Sequence, residues 1–402
     1  MEINFKILIL FFILAITTLN TNNILASNSK YVFSNNANSS SISTSVESPV
    51  FNFVSNSQVL IEPSTGKVIY CNNENEKIYP ASTTKIMTLL LLMENIDSGK
   101  IKYDDNITCS SNAASLGGSQ IWFKENEILT VDDALKAICV VSANDVTVAV
   151  AEHLGGSEEN FVKLMNEKCK LLGMNNTNFV NSHGLHDENH YTTAMDIAIM
   201  SKELITNHPN IFKYTSIWMD SLRGGTFGLS NTNKLVKYYD GGIGLKTGYT
   251  PESLYNLAGV AKRDDTIFLT VITGAPSSDT RLAETKQLLD YGFNNYEINN
   301  IISKDTIIDN KRFNKNIIDK FDIILKDDIS ILNEKGNNFT FDKIIEYNEN
   351  ITLPLNKNQS IGKIKIYDKD KNVITEKYIY VSNNIEKSKY IDYLKFILLK
   401  MF

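Results

Sequence analysis

The sequence predicts an α/β fold of the α+β kind, one antiparallel sheet carrying a helical lobe, followed by a small all-β domain. Three observations lead there. Apolar β-branched runs bounded by turn residues stand at both ends of a long segment. Helical periodicities lie between them. From about Asn300 the texture changes to period-2 alternation broken by Asn, Asp, Lys and Gly.

The elements follow in order. "QVLIEP" and "KVIYCN", joined by "STG", form an opening hairpin. A helix begins near Ser82, with Ile86, Leu89, Leu90 and Met93 at i, i+3, i+4 and i+7, the stripe of one buried face. "TVDDALKAICVV" is a second helix, with Thr130 as N-cap, Asp133 in the capping-box position and Val131, Leu135 and Ile138 on its apolar face. "NDVTVAVAEHLGG" is a third, stopped by Gly155 and Gly156. "YNLAGVAKRDDTIFLTVITGA" is a closing hairpin turning at Asp264-Asp265, and "RLAETKQLLDYGF" a closing helix. Hairpins at both ends imply a single sheet assembled from the two ends of the domain.

The chain has 402 residues and 43% hydrophobic content, enough for two cores. A net charge of −6 argues against a nucleic-acid-binding face. Lys6 precedes the apolar run Ile7 to Ile16, and Ala26 offers a small residue for cleavage before Ser27. The run is shorter than the about 20 residues of a membrane span, so it reads as an export signal. The expected organisation is a signal peptide over residues 1–26, a flexible Ser/Asn-rich leader over 27–52, a catalytic domain over 53–298, a β-rich domain over 299–385 and an amphipathic tail over 386–402. In the tail, Tyr390, Leu394, Ile397 and Met401 alternate with Lys387, Lys389, Lys395 and Lys400, a pattern suited to a membrane interface.

Cys71, Cys109, Cys139 and Cys169 are widely spaced with no C-x-x-C, so they do not read as a zinc site. Cys139 falls in an apolar run and reads as a core thiol; a pairing among the others stays open.

Three short motifs carry the chemistry. Ser82-Thr83-Thr84-Lys85 places a serine and a lysine on one face of a helix. The lysine can serve as base for the serine only if burial or a second cation lowers its pKa. Ser142-Ala143-Asn144 lies in a break between helices, where both polar side chains can face a cleft: Ser142 to relay a proton, Asn144 to hold Lys85 and a substrate amide. Lys246-Thr247-Gly248 lies among glycines that let a substrate backbone approach a strand. Lys246 supplies the second cation, and Lys246 with Thr247 suits a carboxylate. A phosphate-binding loop is excluded, because Gly244 is followed by Leu245 rather than Lys. Each motif alone is weak: Ser82 and the Ser142 cluster are equally ordinary helix caps.

Together and in this order, S-x-x-K, S-x-N and K-T-G are the set of the penicillin-interacting serine enzymes. "YPASTTKIMTLLLLMEN", the stretch from "GGSQIWFKENEILT" to "NSHGL", and "GLKTGYTPESLYNLAGVAKRD" resemble serine-type D-alanyl-D-alanine carboxypeptidases of the low-molecular-mass penicillin-binding protein type. The resemblance runs from about Phe53 to Tyr296, and the β domain and tail resemble that family's second domain and membrane anchor. It implies a penicillin-binding/β-lactamase-like transpeptidase fold and an acyl-enzyme on Ser82, with Lys85 as general base. Ser142 and Asn144 would assist proton transfer and positioning. Lys246, Thr247 and Gly248 would face the terminal carboxylate. The backbone N–H groups of Ser82 and Tyr249 would form an oxyanion hole, one donor being worth about 3–4 kcal/mol. Arg281 resembles an arginine that reaches the substrate carboxylate, in loosely patterned surroundings. Tyr249 follows Lys-Thr-Gly where the family also uses His, which alters pocket detail rather than reaction type.

The implied partners are peptidoglycan stem peptides ending in D-Ala-D-Ala, β-lactams, and a membrane surface contacted by the tail. No cofactor, metal or nucleic acid is implied. The implied place is outside the cytoplasm, peripherally on the outer face of the membrane. A D,D-endopeptidase or a β-lactamase-like hydrolase would use the same site. A β-lactamase of class A also needs a glutamate to deliver water, and no E-x-x-L-N segment lies between Ser142 and Lys246. Slow hydrolysis of a β-lactam acyl-enzyme is therefore expected. A sensing or wall-binding module would be favoured only by a broken motif, and all three are intact. His183, His186 and His190 in "HGLHDENHY" lack the H-E-x-x-H register and read as a structural loop rather than a metal set.

Overall fold

The computed structural model describes residues 51–311, 321–337 and 340–392. The assigned signal, most of the leader and the last ten residues of the tail lie outside the described residues.

The opening hairpin forms β1 (Ser57–Glu62) and β2 (Lys67–Asn72). A tight 3-10 turn, Ala81–Thr84, then leads into α1 (Lys85–Asp97). The lobe continues with α2 (Val131–Lys136), α3 (Asn144–Gly155), α4 (Glu158–Leu172) and α5 (Ala194–Asn207). The sheet resumes with β3 (Gly242–Thr250), β4 (Leu254–Arg263) and β5 (Thr266–Ala275), and α6 (Ser278–Asn295) closes the unit. The sheet order is β2-β1-β5-β4-β3, every pair antiparallel. The first and last strands of this segment thus meet at the β1–β5 pair, with Val59 opposite Val271.

Alternation along the central strands feeds two cores. Val59, Ile61, Leu269 and Val271 join the helical lobe, packing with Leu89, Leu92, Met200 and Leu204. Leu60, Phe268 and Ile272 face the other way, onto Leu288, Leu289 and Phe293 of α6. Phe51 stacks on Phe53 and meets the edges of Tyr70 and Tyr291, so the first described residues pack against this second core.

Two elements differ from their sequence pattern. The stripe expected on α1 is not one face: every residue from Lys85 to Met93 is buried. The helix runs through the middle of the lobe, so its polar first-turn residues must find partners inside the protein. The second helix keeps its Thr130 cap, whose Oγ1 accepts from Asp133 N–H at 3.1 Å. Asp133 turns its carboxylate to Lys136 instead of completing the box. After α2 the chain makes one π-type turn, Ala137–Val141, and stops at Ser142 in the left-handed region (φ +62°).

After α6 the chain passes directly into β6 (Tyr296–Ile302). It continues with β7 (Ile307–Lys311), β8 (Phe321–Leu325), β9 (Ile329–Glu334), β10 (Asp342–Tyr347), β11 (Ser360–Tyr367) and β12 (Val373–Val381). β6 pairs with β9, and β7-β8-β12-β11-β10 form a sheet over Ile323, Leu325, Ile364, Ile366, Ile379 and Val381. No described helix is long and apolar enough to cross a membrane. All four cysteines are free; Cys71 is exposed and the others are buried.

Candidate active site

Ser82 lies in the turn that heads α1, and the turn is held from within and from the sheet. Thr83 Oγ1 donates to the Pro80 carbonyl at 2.7 Å. Asn256 on β4 donates its amide to the Tyr79 carbonyl at 3.0 Å and accepts from Gly274 N–H at 2.9 Å. β3 abuts the same turn. A Cβ at Gly248 would lie 2.8 Å from the Pro80 carbonyl oxygen and 3.1 Å from Thr83 N, so only glycine allows this approach. Ala81 (φ +48°) and Ser142 (φ +62°) occupy the left-handed region at about 1–2 kcal/mol each, and they flank the cleft.

Lys85 is fully buried and its Nζ has three oxygen neighbours: Ser82 Oγ at 2.9 Å, Asn144 Oδ1 at 2.7 Å and the His183 carbonyl at 2.7 Å. Burial, and secondly the Lys246 charge, hold its pKa well below the ordinary lysine value, with Asp145 opposing. A neutral amine has two N–H donors and one lone pair. The two carbonyl-type oxygens can only accept, so they take the donors, and the lone pair is left for the Ser82 hydroxyl. The orientation of Asn144 is fixed independently: its Nδ2 donates to the Gly117 carbonyl at 2.7 Å, which turns Oδ1 toward Lys85.

Lys246, 1% exposed on β3, donates from Nζ to the Thr247 carbonyl at 3.0 Å. Burial drives its pKa down to about 7. Arg281 also pushes it down, while Cys139 would raise it only as a thiolate. The Cys139 thiol is itself pushed up to about 12 by burial and is uncharged at neutral pH. Arg281, in the first turn of α6, donates to the Asn256 carbonyl at 3.1 Å, and burial lowers its pKa to about 10. Thr247 Oγ1 meets Thr232 Oγ1 at 2.8 Å. Ser142 Oγ is buried and makes no hydrogen bond among the described residues. The Tyr249 ring is half exposed and packs on Tyr255.

The residues singled out from sequence are therefore brought together unequally. Ser82, Lys85 and Asn144 are in direct contact. Lys246 acts on Lys85 through its field rather than through a hydrogen bond, and Arg281 acts on Lys246 in the same way. The sequence reading missed the His183 carbonyl, the Thr232 hydroxyl and Asp145, whose carboxylate accepts from Ile121 N–H and Phe123 N–H at 3.1 and 2.9 Å. Backbone acceptors leave no mark in residue identity. The acidic residue directly after Asn144 was the one legible clue.

This fold, with a serine–lysine pair at the head of a buried helix beside an antiparallel sheet, is that of the penicillin-binding serine enzymes. The profile of the D-alanyl-D-alanine carboxypeptidase family matches residues 42–277, and that of the C-terminal domain of penicillin-binding protein 5 matches residues 296–387. The chain belongs to the D-alanyl-D-alanine carboxypeptidase family. It is 42% identical over 343 residues to D-alanyl-D-alanine carboxypeptidase DacF of Bacillus subtilis, covering 84% of this chain and 88% of that one. Penicillin-binding protein 5 of Haemophilus influenzae superposes with a TM-score of 0.71 at 29% identity, over 84% of this chain and 99% of that one. A penicillin-binding protein of Listeria monocytogenes, solved in its ampicillin-bound form, superposes with a TM-score of 0.56 at 28% identity, over 61% of this chain and 99% of that one.

Proposed function

We propose that the chain is a serine D,D-carboxypeptidase that removes the terminal D-alanine from peptidoglycan stem peptides and is acylated by β-lactams at Ser82. The observation that carries this is the buried Lys85 amine, 2.9 Å from Ser82 Oγ with two further acceptor oxygens at 2.7 Å to take its N–H groups, so that once neutral its lone pair is left for the Ser82 hydroxyl. Lys85 takes the Ser82 proton as Oγ bonds to the carbonyl carbon of the penultimate D-alanine. The oxyanion is held by the N–H groups of Ser82 and Tyr249. The amine of the departing D-alanine receives a proton passed through Ser142, and the carbon–nitrogen bond breaks. Water then attacks the ester, with Lys85 again as base, and Ser82 is restored. Asn144 orients Lys85 and the substrate amide. Lys246, Thr247 and Gly248 receive the terminal carboxylate, and Arg281 adds positive field behind them.

The catalytic unit is assigned to residues 53–298 and the β-rich unit to 299–385. The enzyme works outside the cytoplasm after export on residues 1–26, and residues 386–402 hold it to the outer face of the membrane. Supporting this are the apolar run after Lys6 and the alternation of Lys with apolar residues in the tail.

The test is to incubate the purified chain with a labelled penicillin and with a peptide ending in D-Ala-D-Ala. A covalent adduct on Ser82 and release of D-alanine are expected; neither appearing overturns the reading. Deleting Lys387 to Phe402 should abolish sedimentation with anionic vesicles. Unchanged sedimentation removes the anchor.

A further inference from the structure

The loop from Ser182 to His190, marked in the sequence by its histidines, has a use that the roles above do not include. His190 is 2% exposed. Val180 N–H donates to its Nδ1 at 3.0 Å, so Nδ1 is an acceptor and the neutral ring carries its proton on Nε2. Nε2–H then donates to Thr84 Oγ1 at 2.7 Å. The Thr84 hydroxyl in turn donates to the Ala81 carbonyl at 2.8 Å. Ala81 is the left-handed residue directly before the nucleophile.

The loop backbone closes on the same carbonyl: a Cβ at Gly184 (φ +89°) would lie 1.9 Å from Ala81 O. The bridges Asn178–Tyr191 and Ile78–Thr192 pin the chain directly after His190. The lone pair a metal would need on His190 is already taken by Val180, and that on His183 Nδ1 by Leu185 N–H at 3.1 Å.

We propose that His190 is a positioning residue for acylation, holding the strained Ala81 carbonyl through Thr84 and so aiming both the Oγ and the N–H of Ser82. The inference rests on the acyl-transfer reading above. Burial drives the His190 pKa down to about 4, so the ring remains a neutral donor under working conditions.

Single substitutions separate the two ends of the ring. In His190→Asn the side-chain oxygen falls near the Nδ1 position and keeps an acceptor for Val180, but nothing reaches Thr84. In His190→Gln the amide nitrogen falls near the Nε2 position and can donate to Thr84. Thr84→Val removes the hydroxyl at nearly constant volume, and Thr84→Ser keeps it. The full chain of each variant is reacted with labelled penicillin, and the acylation rate constant, the half-saturating concentration and Tm are measured. His190→Asn and Thr84→Val should slow acylation about 10–100-fold with half-saturation little changed. His190→Gln and Thr84→Ser should stay within about threefold of wild type. The relay is overturned if His190→Asn and Thr84→Val acylate as fast as wild type. It is overturned equally if His190→Gln loses as much rate as His190→Asn while Tm falls alike in both, the mark of a role in folding alone. A wild type that forms no adduct overturns the acyl-transfer reading itself.

Discussion

Lys246 should make the protein less stable at neutral pH, and replacing it should show this. An ammonium with an ordinary pKa of 10.5 in the unfolded chain titrates at about 7 when buried on β3. Between those values the unfolded state binds more protons, so stability rises with pH. Its contribution to the fold is complete above 10.5 and is lost as pH falls toward about 7. Integration gives a cost of about 4 kcal/mol at pH 7 and only about 1 kcal/mol at pH 10. Lys246→Met keeps the apolar stem and removes the titration. It also releases Lys85 from a neighbouring charge, an effect of the same sign. Urea unfolding followed by tryptophan fluorescence is the assay, since the two tryptophans, Trp122 and Trp218, both lie in the part that carries the site. The variant should gain stability over wild type at pH 7, and the difference should shrink by about 3 kcal/mol by pH 10. Packing losses change both pH values alike and leave the slope intact. A difference that does not vary with pH refutes the reasoning.

Four further outcomes are expected. Binding of a carboxylate-bearing peptide should weaken as pH rises through about 7, where Lys246 loses its proton, and Arg281→Met should move that limb of the kcat/KM profile upward. Gly248→Ala should push β3 off the turn that carries Ser82 and slow acylation at least about 10-fold, with a stability loss of about 1–3 kcal/mol, read by adduct formation and urea melts. Lys85→Met should fold and form no adduct with labelled penicillin; acylation at the wild-type rate would remove Lys85 as the base. His190 titrates at about 4 in the fold against 6.5 unfolded, so stability should be lost as pH falls between those values, by on the order of 3 kcal/mol. Urea unfolding of His190→Gln should show a flatter acid limb.

Much of this architecture was legible because sheet and helix leave different periods. The closing hairpin, its turn at Asp264-Asp265 and the Thr130 cap read directly from residue order. The candidate site was legible as side chains: of the residues singled out, Ser82, Lys85 and Asn144 come into direct contact, and Lys246 acts on Lys85 through its charge. What did not read was tertiary. α1 carries an apolar stripe, yet burial extends to Lys85 and Thr88, because sheet and loops cover the faces that periodicity leaves to solvent. Thr88 donates to the Ser182 carbonyl at 2.7 Å, and Lys85 to that of His183. Both acceptors are main-chain atoms, 94 and 98 positions further on, from a loop whose histidines suggested metal or scaffolding. Its contact with the turn that carries Ser82 follows from Gly184, whose missing side chain lets the loop reach Ala81.

The most direct test is the protonation state of the Lys85 amine. Lysine labelled with carbon-13 at Cε reports it by NMR, the signal being assigned by its loss in Lys85→Arg. A resonance that titrates with its midpoint well below 10.5 is the result this account predicts. An ammonium that keeps its proton until pH approaches 10.5 would contradict it, because such a group has no lone pair to offer Ser82.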